Sequence, residues 1–193
     1  YNDAQAMLKN IVEQRWLTAN AVIGLWPANS VRDDDIELYA DESRQGVVLT
    51  WHGLRQQTEK QEDADGRLRP SRCLADFIAP SQSGVRDYIG AFACTAGIGA
   101  REKIAEFIAA HDDYSAITFE ALADRLAEAC AEWLHHRVRT DLWGYAAGES
   151  LSNEDMIAEK YRGIRPAPGY PACPDHGVKR ELFRVLQAEA IGM

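Results

Sequence analysis

Asp87-Tyr-Ile-Gly-Ala-Phe-Ala-Cys-Thr95 is the stretch that divides the chain. It carries no charge after Asp87 and is rich in aromatic and β-branched residues, so it reads as a central strand. Its small residues Gly90, Ala91 and Ala93 leave room for another element to pack closely. Strand signals lie upstream of it and helix signals downstream.

Upstream, Asp35–Tyr39 alternates polar and apolar residues, and 46–51 is β-branched. Asp41-Glu-Ser-Arg44 between them predicts a hairpin. Ala21–Trp26 is a short apolar run ending at Pro27, expected to be a buried strand. Before it, 4–14 places Met7, Leu8, Ile11 and Val12 at amphipathic helical spacing, with Asp3 as the expected N-cap. The polar stretch 56–72, with Asp65-Gly66 and Pro70, is an exposed loop and the segment most suited to disorder. Leu74–Ile78 is a short strand or helical turn.

Downstream, Gly97-Ile-Gly99 opens a helix over 101–110. The longest helical signal is 118–139, with Ile117, Leu122, Leu126, Cys130, Leu134 and Val138 near one stripe. Ser152 and Asp155 form a capping-box pair starting a helix through Glu159. Residues 166–174 form a proline-stiffened loop, and a last helix runs from about Asp175 to Glu189. Strands first and helices later predict an α+β fold with an antiparallel sheet. No repeat or internal linker interrupts the 193 residues, which suit one domain.

The formal charge of −9 opposes a polyanion such as nucleic acid, whose affinity depends on Lys and Arg neutralising phosphates. It suits instead a basic partner surface. Cys73, Cys94, Cys130 and Cys173 form no CxxC pair, and a chain this long needs no disulfide staples. A reducing cytoplasm is expected. No run of about 18 apolar residues suggests a membrane span. The five histidines form no metal-ligand spacing, so no metal is expected, and no nucleophile motif marks a catalytic residue.

Three features could carry a function. The first is Arg165-Pro-Ala-Pro-Gly-Tyr-Pro-Ala-Cys-Pro174, with four prolines in nine positions. These fix φ and reduce the entropy of ordering before any ligand arrives. Donors are scarce because proline lacks N–H, so the amides of Ala167, Gly169 and Tyr170 stand out. Arg165 can grip a carboxylate through two parallel bonds. Gly169 permits close approach to the backbone, and Tyr170 offers a ring for stacking. Carboxylate, close approach and flat base together suit an amino-acid nucleoside such as S-adenosylmethionine. The alternative is a rigid connector between helices, which composition alone favours.

The second feature is the row Glu120, Asp124, Glu128 and Glu132, spaced by four along one helix face. The row repels itself by a few tenths of a kcal/mol per pair. It is either a solvated face softened by Arg125 and His136 or a docking edge, and the solvated face is the usual case. The third is Gly97-Ile-Gly99, half of a dinucleotide fingerprint. Glu102 stands where the third glycine belongs, so a turn and helix entry fits better than an oxidoreductase site.

Beyond these separate features, Asp87–Phe92, 121–129 and Gly163–His176 resemble the activation domain of cobalamin-dependent methionine synthase. Segments 54–60, Cys73–Phe77 and Trp143-Gly-Tyr145 fit the same pattern in order. The resemblance implies a C-shaped α+β single domain, a twisted antiparallel sheet with flanking helices, over residues 1–193. It implies a methyltransferase module supporting reductive remethylation of cob(II)alamin, without turnover on its own. The methyl would come from S-adenosylmethionine and the electron from flavodoxin or a flavoprotein reductase. By residue matching, Arg165, Ala167, Gly169 and Tyr170 would contact S-adenosylmethionine, with Glu128 near it. Asp124 and Glu128 would face the cobalamin-binding domain, which would hold the cobalamin. The family pattern starts earlier, with an aspartate for the ligand's amino group, and ends later, with a Gly- and Trp-rich stretch. The chain therefore reads as lacking both extremities, and the loop at 61–69 reads as longer than the pattern. A docking module without ligand competence is the alternative function.

Overall fold

The chain reverses twice within thirty residues, and those two turns build the sheet. In the computed structural model, which describes residues 1–193, strand β1 is Thr18–Val31, β2 is Asp35–Tyr39 and β3 is Val47–His52. β1 and β2 pair antiparallel from Ala28↔Leu38 to Val31↔Asp35 across a tight connection. Arg32 turns there with φ 55°, and its Nη1 lies 2.9 Å from Asp35 Oδ2. β2 and β3 form the expected hairpin, with Ile36 opposite Trp51 and Leu38 opposite Leu49. The fourth strand, β4, is Asp87–Ile98, and the order is β3-β2-β1-β4. The stretch expected to be a central strand is therefore an edge strand.

β1 is longer than the Ala21–Trp26 run and continues through Pro27. Pro27 precedes the β1–β2 register, which begins at Ala28, so its missing N–H removes no bond to β2. The polar residues Thr18 and Asn20 hide the early part of the strand; Asn20 Nδ2 donates to Ile191 O at 2.6 Å.

Contacts divide the chain into two units. One comprises Tyr1–Val22, Phe92–Arg162 and Ala188–Met193, the other Ile23–Ala91 and Gly163–Gln187. Two of the crossings fall inside β1 and β4, so no linker composition marks them. In the second unit Ala28, Ile36, Leu38, Leu49 and Trp51 form a core with Cys73, Ala75 and Cys173. Each large apolar side chain buried there contributes about 1.5–3 kcal/mol. Helix α5, Lys179–Leu186, packs Leu182 and Val185 against that core. It stops short of the expected Glu189 because Gln187 adopts φ 53°, and a 3₁₀ turn, Ala188–Ile191, follows. Leu74–Phe77 resolves as a 3₁₀ turn.

In the first unit, α1 (Asn2–Gln14) and α2 (Ala100–Ala109) pack on the long helix α3 (Asp113–Arg137). Trp16, Phe107 and Phe119 meet with centroids 5.9–6.0 Å apart in edge and tilted geometries. Asp3 lies within the first turn of α1, not at its cap, and accepts from Tyr114 Oη at 3.0 Å. Gly99 caps α2 at φ 94°, and a Cβ there would lie 2.8 Å from Trp16 O. Gly97-Ile-Gly99 is thus a helix entry. The α3 stripe also differs from expectation: Ala116, Phe119, Ala123, Leu134 and His135 are buried, while Ile117 is 68% exposed. The helix gives way to a π turn, Val138–Leu142. Ser152 and Asp155 make both capping-box bonds for helix α4, Asn153–Ile157, which ends short of the expected Glu159.

Candidate functional site

The proline loop is a folded turn and not a slack connector. Tyr170 N–H donates to Ala167 O at 3.0 Å, Cys173 N–H to Tyr170 O at 2.9 Å, and Gly169 N–H to Cys173 O at 2.8 Å. Two of the three amides singled out from the sequence are thus spent inside the turn. Ala167 contributes its carbonyl to the turn and is itself exposed.

Gly169 adopts φ 105°, open chiefly to glycine. A Cβ built there would lie 2.6 Å from His176 Nε2. The close approach that glycine permits is therefore made by the His176 imidazole. Tyr170 is 63% exposed, so its ring stands clear of the turn. Arg165 is half-buried. The loop is anchored at its far end by Cys173, part of the sheet core, and burial raises the pKa of that thiol. All four cysteines are free thiols.

On α3, Asp112 caps the helix by accepting Ser115 N–H at 3.0 Å. Glu120, Asp124 and Glu128 are exposed, and Glu132 is half-buried. Arg125 Nη1 lies 2.9 Å from Glu128 Oε2, so Arg125 softens the row as expected. His136 does not: its Nδ1 lies 3.4 Å from Glu149 Oε1 instead.

That second contact leads to a group the sequence did not reveal. Arg139, 0% exposed, directs Nη2 to Glu149 Oε1 at 2.6 Å and Nε to both carboxylate oxygens at 3.0 Å. Its Nη1 lies 2.6 Å from His135 Nδ1. Arginine can only donate, so His135 Nδ1 accepts in this contact. The guanidinium also stacks 4.3 Å from the Tyr161 ring centroid. The Arg139 hydrogen bonds hold the Glu149 carboxyl below its usual pKa. Continuing the buried stripe of α3 through His135 to Arg139 would have signalled a buried cation. Nothing in the sequence singled out Glu149 as its partner.

Two comparisons bear on these residues. The family model described as "Vitamin B12 dependent methionine synthase, activation domain" matches residues 1–193. A crystal structure of the MetH reactivation domain bound to AdoHcy is similar at 53% identity with a TM-score of 0.87. The match covers 96% of this chain and 55% of that one, so the chain spans about half the length of its structural relative.

Proposed function

This chain belongs to the vitamin B12-dependent methionine synthase activation-domain family, and from that membership we propose that its proline loop binds S-adenosylmethionine for delivery of a methyl group to cobalamin. The observation that carries this reading is the state of the loop: the Gly169 and Tyr170 amides are spent inside the turn, while Ala167 and the Tyr170 side chain are exposed on a turn anchored in the core. Arg165 would hold the carboxylate, Ala167 would donate to the ligand and Tyr170 would stack on the adenine. Gly169 provides the backbone conformation. Glu128 is a further cofactor contact on charge alone, since a carboxylate complements the ligand's ammonium. The relative bound to AdoHcy holds the demethylated form of the same ligand, which supports the choice of class.

Cobalamin would be held mainly by a separate cobalamin-binding domain and would supply the cobalt nucleophile. This chain's part is positioning the methyl donor. Asp124 and Glu128 would meet that domain through the exposed face of α3. The electron would come from flavodoxin or a flavoprotein reductase, and the module alone would turn nothing over. A cytoplasmic setting fits four free thiols. No helix is long and apolar enough to cross a membrane.

Calorimetric titration of S-adenosylmethionine and S-adenosylhomocysteine into this chain and into Arg165→Ala tests the reading. Saturable binding weakened by the substitution supports it. Absence of binding to the unaltered chain, with domain contact still lost in Asp124→Asn/Glu128→Gln, would favour a docking module without ligand competence.

A further inference from the structure

The loop between β3 and the 3₁₀ turn at Leu74 lines a cavity of about 800 Å³ that stands open to solvent, with Glu59, Arg67, Arg69 and Arg72 all exposed. Its base is fixed. Arg55 Nη1 reaches Asp76 Oδ2 and Ser71 O, both at 2.9 Å, while its Nε lies 2.6 Å from Asp34 Oδ1. Gln56 N–H donates to Arg72 O at 2.9 Å. Its tip is fixed as well: Asp63 N–H donates to Arg67 O at 2.8 Å, and Asp63 Oδ1 accepts from the amides of Asp65 and Arg67, each at 2.9 Å. The stretch expected to be the most disordered is cross-linked at base and tip.

The loop segment from Glu59 to Arg72 balances four cations with four carboxylates, but not all of them line the cavity. Lys60, Arg67, Arg69 and Arg72 line the cavity against only Glu59 and Asp63, while Glu62 and Asp65 lie outside the lining. One Asp63 carboxylate oxygen is already committed to the turn. No ion pair engages the guanidinium of Arg67 or Arg69, whereas Arg55 at the base is fully partnered. The lining itself carries four cations to two carboxylates. Guanidinium forks match phosphate oxygens in bidentate geometry.

We propose that this cavity binds a small molecule carrying two or more phosphate groups, gripped by Arg67 and Arg69 with Lys60 and Arg72 contributing charge. The site is independent of the proline loop and of the reading given to it. The test is calorimetric titration with inorganic pyrophosphate at low salt, on the 193-residue chain and on Arg67→Ala/Arg69→Ala. Saturable binding, weakened roughly tenfold or more in the double variant with an unchanged melting curve, is expected. Arginine Nε–Hε resonances provide a second measurement on the unaltered chain, and those of Arg67 and Arg69 should shift together and saturate with the heat. No saturable heat, equal affinity in the variant, or heat without movement of those two resonances would overturn the proposal. Titrating S-adenosylmethionine into the same samples separates this outcome from failure of the proline-loop reading, because Arg67→Ala/Arg69→Ala should leave that affinity unchanged.

Discussion

Replacing Glu149 by glutamine removes one charge from a pair that has almost no access to water. Arg139 is 0% and Glu149 7% exposed at the side chain. Three nitrogen–oxygen contacts of 2.6, 3.0 and 3.0 Å join them. Breaking a buried pair from one side costs about 3–5 kcal/mol, because the remaining charge stays desolvated. Glutamine keeps one acceptor oxygen, which places Glu149→Gln near the lower end, about 3 kcal/mol. For a chain of this size 1 kcal/mol moves Tm by roughly 2–4 °C, so the expected drop is about 6–12 °C.

The pH dependence follows from the same contact. Arg139 depresses the Glu149 pKa. A depressed carboxylate contributes stability that is full above its unfolded pKa, near 4.3, and is lost as pH falls through the folded value. The gap between the unaltered chain and Glu149→Gln should therefore be constant at neutral pH and shrink below about pH 4.3. Scanning calorimetry across pH 3–8 reads both quantities. Removing the cation as well, in Arg139→Met/Glu149→Leu, should recover much of the loss, since apolar replacement of a buried pair is often neutral. A Tm for Glu149→Gln within about 2 °C of the unaltered chain, less than 1 kcal/mol at this size, would refute the reasoning. So would a double variant no better than the single one.

Three further outcomes are expected. Arg165→Ala should weaken S-adenosylmethionine by about 1.5–3 kcal/mol, roughly ten- to hundredfold in Kd, by calorimetry; unchanged affinity would remove Arg165 from the site. Asp124→Asn with Glu128→Gln should leave Tm unchanged or slightly raised, since the substitutions relieve like-charge repulsion on exposed α3, yet weaken reactivation of an intact synthase. A large Tm drop would mark the pair as structural. Gly169→Ala should destabilise the chain by more than 1 kcal/mol, because its φ of 105° is strained for alanine and the His176 ring stands in the way. Adding His176→Ala should restore only the steric share, as read by chemical denaturation.

The hairpin of β2 and β3 was legible because two local signals agree: alternation that puts Ile36, Leu38, Leu49 and Trp51 on one face, and a polar turn between them. The helix entry at Gly99 and the box at Ser152 were legible for the same reason, being decided within four residues. What escaped depends on distant partners. The length of β1 rests on pairing and not on its own polar residues. The stop of α5 comes from Gln187 in a left-handed conformation that glycine more often supplies. The Arg139–Glu149 pair joins the π turn to a residue ten positions on across an irregular stretch. Of the site residues, chemistry was legible in Arg165 and Tyr170 as residue types. The assignment of amides was not, because only the fold decides which N–H groups the turn consumes.

The proline loop is held by more than its prolines. Four prolines limit the conformations open to the unfolded segment, but they do not select one. Selection comes from the three amide bonds of the turn and from Cys173, fixed in the same core as Leu38, Leu49 and Trp51. The backbone of Ala167 and Tyr170 is therefore tied to the sheet core through Cys173, so a ligand bound at this turn would spend less affinity on ordering it. The consequence is a coupling that a surface loop would lack: a core truncation such as Leu49→Ala should loosen the turn and weaken the ligand even though Leu49 is remote in sequence from Arg165. The loss should appear in affinity at temperatures well below the melting transition. An affinity independent of Leu49 would show that the turn holds its shape through its own prolines and hydrogen bonds alone.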